Sequence, residues 1–78
     1  MEINMSDIML HISDNLDKKQ RSQFETEMRD QTGVIALGYH ESRPHLMIVE
    51  YNRDTTNSQN LLYAAKDHGL SAKLVGML

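Results

Sequence analysis

The sequence predicts an α+β fold in which two helices pack on one face of a four-stranded antiparallel sheet. Four stretches carry apolar residues in alternation or in short runs, as strands do, and two more polar stretches carry them at helical spacing. Along the 78 residues these stretches follow the order strand, helix, strand, strand, helix, strand. We therefore expect a single domain that covers residues 1–78.

The first strand is predicted over residues 7–13. Its even-numbered residues from Ile8 to Ile12 are apolar and are expected to face the helices, whereas Met9 and His11 face away. This alternation is typical of a strand with one buried side.

The first helix is predicted over about residues 16–31. It follows the polar run 13–15, whose side chains can accept hydrogen bonds from the free amides at a helix start. Its apolar stripe is thin, so Phe24 and Met28 are expected to anchor it. Gly33 then ends the helix, because glycine readily adopts the positive φ found at many helix C-termini.

A hairpin is predicted next. Residues 34–39 and 45–51 are its two strands, and residues 41–44 form the turn between them. Pro44 fixes its own φ and pushes the residue before it toward extended geometry, which suits the end of a turn.

The second helix is predicted from a cap at Asn57 or Ser58 to about His68, with Gly69 closing it. Residues 70–75 form the last short strand. The residues of the helix's inner stripe are Leu61, Ala64, Ala65 and His68. This order of strands and helices predicts the ferredoxin-like βαββαβ sandwich, with right-handed crossovers.

Composition and charge argue against several classes of partner and activity. The net charge is −3 and the eight basic residues are scattered, which argues against nucleic acid as a partner. The N-terminus is acidic where a secretory signal would be basic, and no apolar run approaches the ~20 residues that span a bilayer. We therefore expect a cytoplasmic location and no membrane partner. The absence of cysteine excludes disulfides and cysteine catalysis.

Several short pieces follow one another along the chain in a fixed order and spacing. They are Leu10-His-Ile12, Gly33-Val34, Val49-Glu-Tyr51-Asn52, the Thr-rich loop after it, Leu61 with Ala64-Ala65, Gly69-Leu70 and Ala72-Lys-Leu. Together they resemble the heavy-metal-associated domain family of copper chaperones and metal-pumping ATPase modules. The resemblance covers nearly the whole chain and implies the ferredoxin-like fold.

The resemblance also locates the family's metal loop, a Met-x-Cys-x-x-Cys segment, on residues 15–20. Asp17 and Gln20 stand there in place of the two cysteines. Hard oxygen donors do not select a soft cation, and the neighbouring Lys18 and Lys19 oppose a positive ion. We therefore expect a polar helix cap at this place and a degenerate metal site.

The remaining metal-binding candidates are histidines and methionines. Two of the histidines His11, His40 and His45 could converge within the molecule, although a metal site needs three or four donors. His68 is expected to complement the dipole at a helix end. The six methionines form no predicted cluster, since Met28 and Met47 are expected on the helix-covered side as part of the core and Met1 and Met5 at the terminus. No cofactor is expected, with a metal ion as the open alternative.

An enzyme is not expected, because the chain has no Gly-rich phosphate loop and no activated-nucleophile motif. Its carboxylates are spread among loops and strand faces without a paired setting that would shift their pKa values. The sheet side away from the helices, here called the open sheet face, is instead unusually apolar, and such a patch often marks an association surface. Its expected residues are Met9, His11, Ile48 and Glu50, with Ala36 or Gly38.

The sequence thus favours a small, non-enzymatic binding or interaction module. Its expected partner is another protein or a second copy of the chain, bound at the open sheet face. The alternative is a metal carrier that uses histidine or methionine donors in place of cysteine.

Overall fold

Two helices and four antiparallel strands make up the protein, seen in a computed structural model that describes residues 4–40 and 43–77. The strands are arranged in the order β2-β3-β1-β4, as the ferredoxin-like prediction requires. The elements are β1 (Met5–Ile12), α1 (Lys18–Arg29), β2 (Val34–His40), β3 (Arg43–Asn52), α2 (Ser58–Asp67) and β4 (Ala72–Met77). Among the described residues, neither helix has the length and apolar character needed to cross a membrane.

The core lies between the sheet and the two helices. The predicted helix anchors, Phe24 and Met28 in α1 and Leu61 and Ala65 in α2, are all buried. They pack against the inward side of the sheet, so these four anchors are confirmed. His68, predicted in the inner stripe of the second helix, is exposed instead, because it lies at the C-cap after α2. The buried sheet residues are Ile8, Leu10, Ile12, Met47, Val49, Tyr51 and Ala72.

Helix α1 is shorter than predicted. Asp17, rather than a residue of the run 13–15, caps its start, and Asp30 caps its end. Asp14 is engaged elsewhere, because its carboxylate accepts a hydrogen bond from the backbone N–H of Ser71 at 2.6 Å. That bond ties the loop before α1 to the loop before β4.

Gly33 has the predicted positive φ of 91°, although it lies after the C-cap of α1. Its position is also crowded, since an added Cβ would lie 2.8 Å from the Thr56 Cγ2 and 3.1 Å from the Thr55 Cβ. The Gly33 carbonyl accepts a hydrogen bond from Asn52 N–H at 2.8 Å. Only a glycine therefore lets this turn pack against the loop between β3 and α2.

The strand bounds differ by a few residues from the predicted ones. Strand β3 begins at Arg43, two residues before the predicted start of 45–51. Proline is tolerated at the end of a strand, and the pairing of β2 with β3 shifts in register between Tyr39 and His40. The first half of the predicted turn, Glu41 and Ser42, lies outside the described residues.

Strands β1 and β4 are displaced from the predicted 7–13 and 70–75. A shift in the β1–β4 register between Met9 and Leu10 adds a residue to β4 and leaves Val75 46% exposed. Such a bulge is not visible in the alternation of a single strand.

Helix α2 begins as predicted. The Asn57 side-chain oxygen accepts a hydrogen bond from the backbone N–H of Asn60 at 2.9 Å, so Asn57 is the cap. His68 is the C-cap residue of the same helix.

Candidate functional site

The start of α1 occupies the place where the resemblance would put two metal-binding cysteines. The Asp17 carboxylate accepts a hydrogen bond from the Gln20 backbone N–H at 2.7 Å. The Gln20 side-chain oxygen accepts one from the Asp17 backbone N–H at 3.1 Å. This reciprocal capping box satisfies free backbone amides of the helix. Both side chains are hard donors already bonded to the backbone, so the residues present do not fit a soft metal ion.

A cleft of about 280 Å³ opens between α1 and the segment that follows α2. Beside it, the His68 Nδ1 lies 2.6 Å from the Glu27 Oε2, and the His68 ring meets the Phe24 ring edge-on with centroids 5.5 Å apart. The lining residues are Leu16, Gln20, Gln23, Phe24, Glu27, His68 and Leu70. They include no hydroxyl or thiol side chain, and the His68–Glu27 pair joins the C-terminal end of α2 to α1.

Two of the three candidate metal-binding histidines lie together. The rings of His11 and His45 are stacked with centroids 6.0 Å apart and planes 27° apart. The His45 Nδ1 lies 2.7 Å from the Ile12 carbonyl oxygen. His40 ends β2, and its side chain lies outside the described part of the structure. Within residues 4–40 and 43–77, no three side chains of the metal-binding types come together.

The open sheet face has an apolar row at its centre. Register and alternation place Gly38, Ile48, Met9 and Gly76 side by side across the four strands, on the side away from the helices. Ile48 and Met9 are half-buried, and the two glycines beside them on the outer strands add no side chain. The row is therefore a ridge of two apolar side chains flanked by bare backbone.

Charged residues lie on either side of this row. Asp7 and Glu50 are direct cross-strand partners on one side. His11 and Lys73 are partners on the other side. The β1 register brings these residues, which are distant in sequence, side by side. The open sheet face is thus acidic at one end and basic at the other.

Sequence reasoning missed three residues of this face, Leu46, Asp7 and Lys73. Leu46 pairs with His11 and continues the alternation of Ile48 and Glu50, so the signal was present two residues before Ile48. The positions of Asp7 and Lys73 depend on strand register, which single strands do not specify. Both Ala36 and Gly38 pair with open-face residues of β3, where the sequence left them as alternatives.

No protein-family model and no curated protein matches the sequence. Several solved structures do match it. The copper-binding domain of HMA7, a P-type ATPase, has a TM-score of 0.81 at 11% identity, over 92% of this chain and 96% of that one. The N-terminal domain of a potential copper-translocating P-type ATPase from Bacillus subtilis has a TM-score of 0.80 at 19% identity, over 95% and 91%. The chain has a heavy-metal-associated-like fold.

Oxidized MerP from Ralstonia metallidurans CH34 gives the same result, with a TM-score of 0.77 at 14% identity over 90% of this chain and 96% of that one. The heavy-metal-associated-like fold predicted from the resemblance is therefore confirmed. In this chain it is built without cysteine, so the thiolate motif is lacking.

Proposed function

We propose that this chain is a non-enzymatic interaction module that binds a protein through its open sheet face. The observation that supports the proposal is the uncovered apolar row through Ile48 and Met9, with charged residues at both ends. An apolar patch rimmed by polar groups is the usual form of a protein-binding surface. Aliphatic side chains at the centre supply the hydrophobic contact, and the rim charges set the orientation of the partner.

The remainder of the molecule supports this assignment by elimination. The helix start at Asp17 is a closed capping box, which is the degenerate metal site of the proposal. The cleft beside His68 lacks a nucleophile and, at about 280 Å³, is at the small end of ligand pockets. Among the described residues, the open sheet face combines apolar and charged groups in a defined pattern.

The chain's lack of cysteine gives a clean test of the proposal. We replace Ala36, an exposed residue of the open sheet face, with cysteine and attach a short photoactivatable crosslinker. We expect light to join this probe to a specific protein in cells of the source organism. The same probe on Gln59→Cys, an exposed position of α2, should give no such adduct.

Ile48→Lys in the Ala36→Cys background adds the second arm of this test. A charge in the apolar row should abolish the adduct if docking uses that row. Adducts that form equally from α2, or that survive Ile48→Lys, would show that the partner binds elsewhere.

A second candidate function is metal binding by His11 and His45. The supporting observation is their stacking at 6.0 Å, with the His45 Nδ1 held by the Ile12 carbonyl. A proton on Nδ1 would leave Nε2 free for a metal, as in many histidine ligands. Two donors are fewer than a stable site uses, so this candidate ranks second.

Calorimetric titration with Zn²⁺ tests the second candidate. Metal binding that is lost in His11→Ala and kept in His68→Ala would support a carrier. Equal heats in the wild type and His11→Ala would exclude this pair as the site.

A further inference from the structure

We propose that the partner of the open sheet face is a second copy of this chain, docked with its strands running the opposite way. The two-fold axis would run across the strands along the row Gly38, Ile48, Met9 and Gly76. This inference rests on the proposed function and specifies the partner and its orientation.

Two residues of β1, Asp7 and His11, are placed symmetrically about this row. Asp7 is two residues from Met9 toward one end of β1, and His11 is two residues from it toward the other. At about 3.3 Å per residue, each lies about 7 Å from the row. A two-fold rotation about the row therefore brings the acidic end of one copy onto the basic end of the other.

The acidic pair has no compensation within the monomer. Asp7 and Glu50 are opposite each other on neighbouring strands, and like charges in this position destabilise a sheet. Among the residues that the structure describes, no cation lies within ion-pair distance of either carboxylate. In the proposed dimer, the His11 imidazole of the other copy lies over Asp7, and its Lys73 ammonium lies one strand to the side, on β4.

The charges also select the orientation. An axis parallel to the strands would keep the acidic end of one copy over the acidic end of the other and the basic end over the basic end, so like charges would face each other. The axis across the strands replaces these contacts with attractive ones. An interface formed by rotation is self-complementary, so each favourable contact occurs twice.

The size of the face sets the expected affinity. Four strands about 4.8 Å apart, used over five residues of about 3.3 Å each, give a footprint of about 19 by 17 Å, or about 320 Å². This is below the ~800 Å² per partner of a standard stable interface. We therefore expect a weak dimer that forms at tens to hundreds of micromolar.

Charge reversal tests the proposal. In sedimentation equilibrium, the wild type should move from its monomer mass of 9.0 kDa toward twice that mass as its concentration rises. Asp7→Lys alone and Lys73→Glu alone should each weaken association by about tenfold, because each creates two repulsive contacts. An equimolar mixture of the two variants should associate again, and so should the double variant Asp7→Lys/Lys73→Glu.

Asp67→Lys and Lys66→Glu are the matched controls. They make the same charge changes at exposed positions of α2 and should associate like the wild type. Circular dichroism of every variant verifies that it is folded.

A wild type that stays at 9.0 kDa throughout would overturn the second copy as partner. Single variants that associate like the wild type would overturn the orientation. The crosslink from Ala36→Cys distinguishes these outcomes from a failure of the proposed function. An adduct with a different protein would support protein binding at the open sheet face without a dimer.

Discussion

At the scale of single residues, Asp17 and Gln20 decide what the start of α1 can bind. A helix start offers free N–H groups, and here two side-chain oxygens accept them in a capping box. Two thiolates at the same positions would instead present soft ligands beside the positive end of the helix dipole, which favours the thiolate form of cysteine. The side chains at residues 17 and 20 therefore determine which metal ions the start of α1 can hold.

Restoring the thiolates should restore soft-metal binding. We expect Asp17→Cys/Gln20→Cys to retain Cu(I) in competition with a strong chelator, while the wild type retains none. Asp17→Ser/Gln20→Ser is the matched control, because serine can still cap the helix but supplies no thiolate. Stoichiometric Cu(I) on the wild type would show that its histidine or methionine donors bind the metal.

Tyr39 gives a residue-scale prediction about alkaline pH. Burial, and next the Glu25 charge, raise the pKa of Tyr39 to about 12, while Arg21, 5.2 Å from the ring centroid, opposes the rise. Between pH 10.0 and about 12 the unfolded chain loses this proton and the folded chain keeps it. The free energy of unfolding should therefore fall as the pH rises through this window.

Urea denaturation across that window measures the effect. Tyr39→Phe should show a smaller decline in unfolding free energy than the wild type, because its ring has no proton to lose. Equal declines in both proteins would mean that Tyr39 does not carry the pH dependence.

At the scale of elements, the helix layer depends on a few large side chains. Helix α1 buries only Phe24 and Met28, and α2 buries only Leu61 and Ala65. The His68–Glu27 contact joins the helices at one end, but it is partly exposed to solvent and contributes little. Attachment of α1 therefore rests mainly on Phe24 and Met28.

Phe24→Ala tests this dependence. Phe24 is 4% exposed, so its truncation leaves a cavity and should cost about 3–5 kcal/mol of unfolding free energy. Tyr63→Ala is the control, because Tyr63 is 65% exposed and should change stability by less than about 0.5 kcal/mol. Thermal or urea unfolding compares them, and equal stability of the two variants would place Phe24 outside the core.

The two glycines with positive φ give a prediction about the stability of the loops that contain them. Gly33 has a φ of 91° and Gly69 a φ of 77°, so alanine is strained at both. Only at Gly33 would the new Cβ also meet Thr56, at 2.8 Å. Gly33→Ala should therefore lower the unfolding temperature more than Gly69→Ala does. Equal losses would mean that the Thr56 loop moves aside at no cost.

At the scale of the whole molecule, the sequence predicted what depends on local pattern. Alternation of Ile8, Leu10 and Ile12 and the spacing of Phe24 and Met28 assigned the elements and their buried faces correctly. It could not predict the Asp7–Glu50 pairing or the bulge near Met9, because register arises from packing between strands. The contact of His11 with His45 likewise depends on the pairing of β1 with β3.

Because strand register could not be predicted, only part of the candidate site could be predicted from the sequence. The apolar character of the open sheet face could be predicted from Met9 and Ile48, which alternate with core residues. Its charge layout depends on the alignment of three strands, and the capping box depends on Asp17, rather than a residue of the run 13–15, capping the helix. Both are properties of the assembled fold.

The most direct measurement of the central claim is a dilution series followed by amide NMR. If the open sheet face binds a second copy, the amide signals of β1 and β3 around Met9 and Ile48 should shift with protein concentration, while those of α1 and α2 stay fixed. Ile48→Lys should remove the shifts without unfolding the protein, because the side chain faces away from the core. Signals that do not move up to several hundred micromolar, or shifts confined to the helices, would contradict the claim.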